Sequence, residues 1–185
     1  MMKSTIRTST WRAIYRLLDR VSPVDFDCGT ICGAICCGTP EDDMGIYLLP
    51  GEEKIHSRDE SWLTWSAEQA EDYEFPESWK GKVFYVKCID PPHCPREKRP
   101  IQCRTFPLLP HLSEEGELTL VYNDMELPYC CPLIEEEMEV DPRFIQATWT
   151  VWNRLVQDPL IRDLVEMDSR AREETARKLA EKLLL

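Results

Sequence analysis

Nine cysteines distinguish this chain of 185 residues, and their grouping indicates metal chemistry. A chain of this length can bury enough apolar surface to fold without disulfides, so this many thiols require a chemical explanation. In a reducing compartment, clustered cysteines are more often metal ligands or redox groups than structural disulfides. We predict that they bind an iron–sulfur cluster or zinc, with candidate ligands in three groups: Cys28, Cys32, Cys36 and Cys37; Cys88, Cys94 and Cys103; and Cys131, with Cys130 the weakest candidate.

The number of ligands per site limits how these cysteines can be used. A structural zinc ion or a cubane iron–sulfur cluster takes four protein ligands. Nine cysteines therefore fill one site with spares, or two sites with one left over. Adjacent side chains of an extended segment point to opposite faces, so Cys36 and Cys37 either serve two centres or bracket one cluster. The same alternatives apply to Cys130 and Cys131.

The residues around the cysteines suit a thiolate centre. Each group adjoins glycine or proline, and glycine gives the backbone the freedom to wrap several thiolates around one point. Arginines follow Cys94 closely, and a nearby guanidinium favours the ionised form of sulfur. We expect Arg99 and Arg104, together with Arg96, to lie beside the centre and balance its charge.

The order of these motifs resembles the YkgJ-type CxxCxxCC family of zinc- or iron-chelating proteins. The most specific part of the match is the segment Arg99-Pro100-Ile101-Gln102-Cys103-Arg104-Thr105-Phe106-Pro107. Cys131-Pro132 resembles the late cysteine that many members carry, and the resemblance spans residues 26–132. The family's opening cysteines are two residues apart, whereas both gaps here contain three. The resemblance implies a chelating domain and does not imply one reaction.

Other chemistry finds little support in the sequence. His93, beside Cys94, is a possible ligand, since imidazole commonly binds metals. We expect His56 and His111 to be surface or helix-capping residues. We find no Ser/His/Asp set, no convincing pair of catalytic carboxylates and no glycine-rich phosphate loop, so whether the protein is an enzyme stays open.

Charge and targeting signals restrict the partners and the compartment. A net charge of −12 argues against nucleic acid, whose binding depends on an excess of Lys and Arg. No continuous apolar segment follows the basic N-terminus, and nothing approaches the roughly 20 apolar residues of a membrane span. We expect a cytoplasmic protein with no membrane partner. A transit peptide is the alternative, because no acidic residue precedes Asp19.

Three functions remain. The first is a redox-active iron–sulfur protein that passes electrons to a redox partner or supports an oxidoreductase step. The second is a structural zinc module that acts through a protein partner. The third is metal storage or delivery. Soft thiolate ligands are compatible with all three and do not decide between them.

The sequence predicts a small α+β domain with helices at both termini and a loop-rich cysteine core that contains a few short strands. We divide the chain into an N-terminal amphipathic helix (1–25), a cysteine-rich chelating domain (26–132) and a C-terminal helical segment (133–185). Strands are expected at 83–88 and 118–122, and a strand or a buried turn at 46–49. The sequence pattern of 61–73 does not decide between a helix and a strand. Asp-Pro pairs at 141–142 and 158–159 mark two helix starts. The first of these helices should present one apolar face to the cysteine domain: Phe144, Ile145, Thr148, Trp149, Trp152, Leu155 and Val156.

Overall fold

The computed structural model describes residues 3–38, 45–90, 93–123, 129–136 and 138–184, and within them the predicted α+β architecture is confirmed. The helices are α1 (Thr8–Leu18), α2 (Gly29–Cys32), α3 (Ile101–Thr105), α4 (Pro132–Glu135), α5 (Pro142–Leu155) and α6 (Pro159–Leu183). The strands are β1 (Gly45–Tyr47), β2 (Leu63–Gln69), β3 (Lys82–Cys88), β4 (Leu108–Leu112) and β5 (Leu118–Tyr122).

Helices from the two ends of the chain share the largest hydrophobic core. Trp11 and Leu18 of α1 are buried there with Leu155 of α5 and Ile161 of α6. Ile101, the first residue of α3, is also fully buried in this core. The short helix that carries Cys103 is thus anchored to the helical layer at its first residue.

An antiparallel three-stranded sheet forms the second part of the fold, with strand order β1-β3-β2. β2 pairs with β3 along its whole length, from Leu63 opposite Cys88 to Gln69 opposite Lys82. This pairing gives the segment 61–73 a strand, which its sequence pattern left undecided. Beneath the sheet lies a separate core of Leu48, Trp62, Leu63 and Val86.

A two-stranded hairpin, β4–β5, contains a strand that the sequence did not predict. β4 includes Pro110, and proline argues against a strand because it cannot donate a backbone hydrogen bond. Helix α6 packs against β4 and forms hydrogen bonds with its backbone. Ser169 Oγ accepts from Leu112 N at 3.0 Å, and Arg172 Nη2 donates to the Pro110 carbonyl at 2.7 Å.

Both predicted Asp-Pro helix starts are confirmed. Asp141 accepts from Arg143 N at 2.8 Å at the start of α5. Asp158, which is fully buried, accepts from Leu160 N at 3.0 Å and from Ile161 N at 3.3 Å at the start of α6. The carboxylate of Asp158 also accepts from the Ser4 hydroxyl at 2.9 Å, so it ties the N-terminal segment to the α5–α6 junction.

The apolar face predicted for α5 is narrower than expected. Phe144, Thr148, Trp152 and Leu155 are buried, and α5 packs against α1 and the β4–β5 hairpin. Ile145 and Trp149 are instead 39% and 42% exposed, so their assignment to the buried face is wrong. The cause is geometric, since a helix packed on two neighbours buries only the stripe that faces them.

Candidate metal centre

The first cysteine group lies on a loop that reverses direction twice within ten residues. Helix α2 is followed by Gly33, which has φ +67°, and then by Ala34 with φ +55°. A left-handed residue other than glycine costs on the order of 1 kcal/mol, so the loop holds a strained turn here. A short 3₁₀ turn, Ile35–Cys37, comes next. The reversal brings Cys36 back beside the end of α2.

Four thiols line one small apolar recess of about 20 Å³, whose walls also include Ile31, Ile35, Phe106 and Leu133. We name these thiols the recess set: Cys28, Cys32, Cys36 and Cys131. Cys28 and Cys32 are one helical turn apart and therefore face the same side. Cys131, which precedes α4, is buried in a cluster with Val24 and Leu133. The recess thus joins residues about a hundred positions apart in the chain.

The remaining thiols of the first two groups interact with one another electrostatically. We name them the sheet set: Cys37, Cys88, Cys94 and Cys103. Cys88 is the last residue of β3, and burial, together with the nearby Cys94, raises the pKa of its thiol. Both side chains pack against the core beneath the sheet. Cys103 lies in α3, close to Cys37 and Cys94.

The surrounding protein raises the pKa of most of these thiols. Burial is the largest cause for Cys28, and the negative charges of Asp27 and Cys32 add to it. Burial also leads for Cys88 and Cys131, and it raises the pKa of Cys103 to about 12. Cys103 nevertheless has an exposed surface. Without a cation the thiols of Cys28, Cys88, Cys103 and Cys131 keep their protons at neutral pH, and a bound metal would reverse that preference.

Cys36 and Cys37 are neighbours in the chain but belong to different sets. Interaction between the two thiols raises the pKa of Cys36 and lowers the pKa of Cys37. Arg99 lowers the pKa of Cys37 further. The two residues therefore differ in the charges around them as well as in the set of thiols to which they belong.

The arginines of the basic segment have three different roles. Arg99 Nε donates to Cys94 Sγ at 3.1 Å, so this guanidinium contacts sulfur directly. Arg96 lies near Cys28, where its charge lowers the thiol pKa against the effect of burial. Arg104 is buried and forms an ion pair with Asp19, while it donates to the Tyr15 carbonyl at 3.1 Å. Its described hydrogen bonds go to oxygen atoms of Tyr15, Asp19 and Glu97, and its position beside sulfur stays a prediction.

The histidines and Cys130 lie apart from the two sets. His93 is exposed and contacts Asp90 at 3.1 Å. His111 lies 3.2 Å from Glu173 on α6. Cys130 is exposed and interacts with Glu135. The surface expectation for His56 is wrong: its side chain is only 3% exposed, because it packs beneath Tyr15 with Nε2 2.9 Å from the hydroxyl.

Two residues near the thiols were not predicted from the sequence. Tyr129 lies close to thiols of both sets, and burial, followed by the charges of Cys36 and Cys131, raises its pKa to about 12. Glu52 is fully buried, and its carboxylate accepts from the backbone N–H of Ile101 at 2.8 Å. Tyr129 adjoins the Cys130-Cys131 pair in the sequence, and this position could have identified it as a residue of the site. Glu52 follows Pro50-Gly51 and looks like an ordinary turn residue.

The thiols are gathered but do not converge on a single point. Within the described ranges, no three Cys, His, Asp or Glu side chains are arranged so that they could hold a metal ion. A tetrahedral zinc site, with Zn–S bonds of about 2.3 Å, needs sulfur atoms about 3.8 Å apart. Cysteine has one side-chain torsion, so a change of rotamer moves the sulfur while the backbone stays in place. Four soft donors in each set match the chemistry of zinc or an iron–sulfur cluster.

Comparisons with known proteins identify no relative. No protein-family profile matches the chain, and no curated protein or solved structure is detectably similar to it. Among the helices that the structure describes, none has the length and apolar character needed to cross a bilayer.

Proposed function

We propose that this protein binds metal through cysteine thiolates, as an iron–sulfur cluster in the first place, and that it transfers electrons or supports an oxidoreductase step. The observation that carries the proposal is the gathering of cysteine thiols from four separate segments: the 28–37 loop, the end of β3 with Cys94, helix α3, and the start of α4. The resemblance to the YkgJ-type family supports the same conclusion.

Packing alone does not account for these thiols. A free cysteine without a chemical role is usually a fully buried small hydrophobe. Only Cys131 is fully buried here, whereas the other seven members of the two sets are partly or largely exposed. Placing partly exposed thiols together gives no packing advantage, and in their ionised form they would repel one another. A bound cation removes that opposition.

The surroundings favour a cluster. The recess set has apolar walls, and exclusion of water is one of the factors that set a cluster's reduction potential. The hydrogen bond from Arg99 to the Cys94 sulfur belongs to the outer contacts that tune such centres. We place the protein in a reducing, cytoplasmic setting with a protein redox partner and without nucleic acid.

A structural zinc module that acts through a protein partner is the second candidate. It is favoured by the position of Cys88, Cys94 and Cys103, which lie on β3, the following loop and α3. A metal shared by these residues would fasten the sheet to the helical layer. No catalytic residue is needed for that role.

Anaerobic purification, followed by an absorption spectrum and by metal and acid-labile sulfide analysis, tests the proposal. A broad visible absorbance with iron and sulfide would support the cluster. Stoichiometric zinc in a colourless protein would support the structural module and exclude electron transfer. Free thiols with neither metal, after anaerobic reconstitution as well, would overturn the proposal.

A further inference from the structure

We propose that two copies of this chain form a closed dimer in which the outer part of α6 of each copy docks on an aromatic patch of the other. We name the outer part of α6, residues 173–183, the α6 tail. The aromatic patch consists of Tyr47, Tyr73 and Phe75, whose rings contact one another beside one face of the three-stranded sheet. The dimer is a property of the protein surface and does not depend on a bound metal.

The α6 tail extends beyond the body of the protein. The buried residues of α6 are Ile161, Val165 and Ser169, all in its first half. Leu179 and Leu183 continue the same stripe at helical spacing, yet they are 59% and 78% exposed. An amphipathic helix normally buries its apolar stripe along its whole length, so the tail offers an apolar surface to a partner.

Lysines line one edge of this exposed stripe. At about 3.6 residues per turn, Lys178 and Lys182 lie one helical turn apart, beside Leu179 and Leu183. Lys182 has no hydrogen bond or ion pair in the described structure, and Lys178 pairs with Glu174 of the same helix at 2.7 Å. The stripe thus combines apolar side chains with positive charge along one side.

The aromatic patch is partly exposed and has negative charge at its edge. The Tyr47 ring centre lies 5.3 Å from that of Tyr73 and 5.0 Å from that of Phe75. Tyr73 is 44% exposed. Asp72 and Glu74 flank it in the chain, are exposed, and have no hydrogen bond or ion pair to any residue that the structure describes. The patch therefore offers aromatic rings and unpaired carboxylates to a cation.

The two surfaces are complementary in charge. The segment 68–77, which includes the edge of the patch, contains five acidic residues and no Lys or Arg. An ammonium group is attracted to carboxylates and also to the faces of aromatic rings. On the opposite face of the same sheet, the Arg58 guanidinium lies 4.4 Å from the ring centre of Trp65 and 4.7 Å from that of Phe84. No described Lys or Arg covers the aromatic patch in this way, so the lysines of a second α6 tail fit that position.

The tail of a chain cannot reach the patch of the same chain. Leu160 and Leu164, near the start of α6, pack in the same cluster as Tyr47. Because α6 is one continuous helix, Leu179 lies about 22 Å beyond Leu164 along its axis. Two α6 helices that lie antiparallel place each tail beside the first turns of the other, where the patch is. The exchange is reciprocal, so it closes as a two-fold dimer and does not continue into a filament.

Sedimentation equilibrium of the full chain tests the proposal, because it measures the dissociation constant of the dimer. Lys178→Glu with Lys182→Glu should raise that constant by about tenfold or more, and so should Asp72→Lys with Glu74→Lys. The variant with all four substitutions should dimerise again, since the exchanged charges attract. Arg177→Glu makes the same change of charge on the opposite side of the helix and should leave the dimer intact.

The net charge separates this contact from a general charge effect. The patch substitutions Asp72→Lys and Glu74→Lys reduce the net negative charge of −12, which by itself would weaken the repulsion between copies and favour association. Only the proposed contact predicts that they weaken the dimer. A wild-type chain that stays monomeric at every concentration would overturn the proposal. Patch substitutions that leave the dimer unchanged would overturn it as well, and would indicate that the two tails pair with each other. All four positions are exposed, and circular dichroism verifies that each variant is folded.

Discussion

The Glu52 carboxylate accepts a hydrogen bond from the backbone N–H of Ile101 at 2.8 Å, across 49 positions of sequence. The same carboxylate accepts from the Tyr15 hydroxyl at 2.6 Å and from Leu49 N at 3.0 Å. One buried side chain thus connects α1, the segment after β1 and the first residue of α3. Because α3 carries Cys103, this carboxylate helps to fix the position of a candidate metal ligand.

Replacement of Glu52 by glutamine should destabilise the protein. The amide nitrogen cannot accept a hydrogen bond, so at least one buried N–H or O–H donor loses its partner. We expect a loss of about 1–3 kcal/mol in the free energy of unfolding, measured by urea denaturation of the metal-free chain. The control is Glu77→Gln, because Glu77 is exposed on the surface. Equal stability of the two variants would show that the buried network contributes nothing.

The titration of Tyr15 should lower the free energy of unfolding in alkaline solution. Its pKa is raised well above the ordinary value of 10.0, first by burial and then by the charge of Glu52. Above about pH 10 the unfolded chain loses the phenolic proton and the folded chain keeps it, so the unfolded state gains stability as pH rises. The free energy of unfolding should fall by about 1.4 kcal/mol per pH unit until the folded-state pKa of Tyr15 is reached.

The variant Tyr15→Phe isolates this effect from the other alkaline groups. It should be less stable at neutral pH, because the hydrogen bond to Glu52 is lost. Its free energy of unfolding should then decline less steeply than that of the wild type above about pH 10. Urea denaturation at a series of pH values measures both slopes. Parallel curves would show that Tyr15 does not titrate differently in the folded and unfolded states.

Removal of the Arg99 charge should weaken metal binding, if the proposed function holds. Its Nε–H donates to the Cys94 sulfur at 3.1 Å, and outer contacts of this kind are typically worth about tenfold or more in metal affinity. We expect Arg99→Gln to bind zinc roughly tenfold more weakly in competition with a chelator. Lys98→Gln is the matched control, because Lys98 pairs with Glu60 at 2.7 Å and contacts no thiol in the described structure. The same loss in both variants would indicate a general charge effect.

The two Asp-Pro helix starts should respond unequally to alanine. Asp158 is fully buried and accepts from Ser4, Leu160 and Ile161, so Asp158→Ala leaves several donors without a partner. We expect a loss of roughly 3 kcal/mol in the free energy of unfolding, from the lost cap and the unpaired buried groups. Asp141→Ala should lose less, because the Asp141 side chain caps α5 without being fully buried. Thermal and urea unfolding compare the two variants, and a larger loss at Asp141 would contradict this ranking.

The sequence by itself determined the features that depend on local chemistry. Proline after aspartate specifies a helix start, because the aspartate caps free N–H groups and proline lacks the N–H that would be unpaired; α5 and α6 begin where this pattern predicts. The β-branched and aromatic run from Val83 predicted β3, and an amphipathic helix was expected at the N-terminus, where α1 lies. The candidate ligand list is also a matter of residue type, since only thiolates, imidazoles and carboxylates bind such metals.

Only the tertiary structure decided which of these groups meet. Cys36 and Cys37 are equivalent in the sequence, and they diverge because a 3₁₀ turn follows the left-handed Ala34. Arg104 resembles Arg99 in the sequence, yet it pairs with Asp19, 85 positions away. Glu52 and His56 read as surface residues, and they are buried because α1 folds over them. Contacts between distant segments depend on how the whole chain packs. Residue type and spacing therefore identified the candidate site residues, and long-range packing determined which residues they contact.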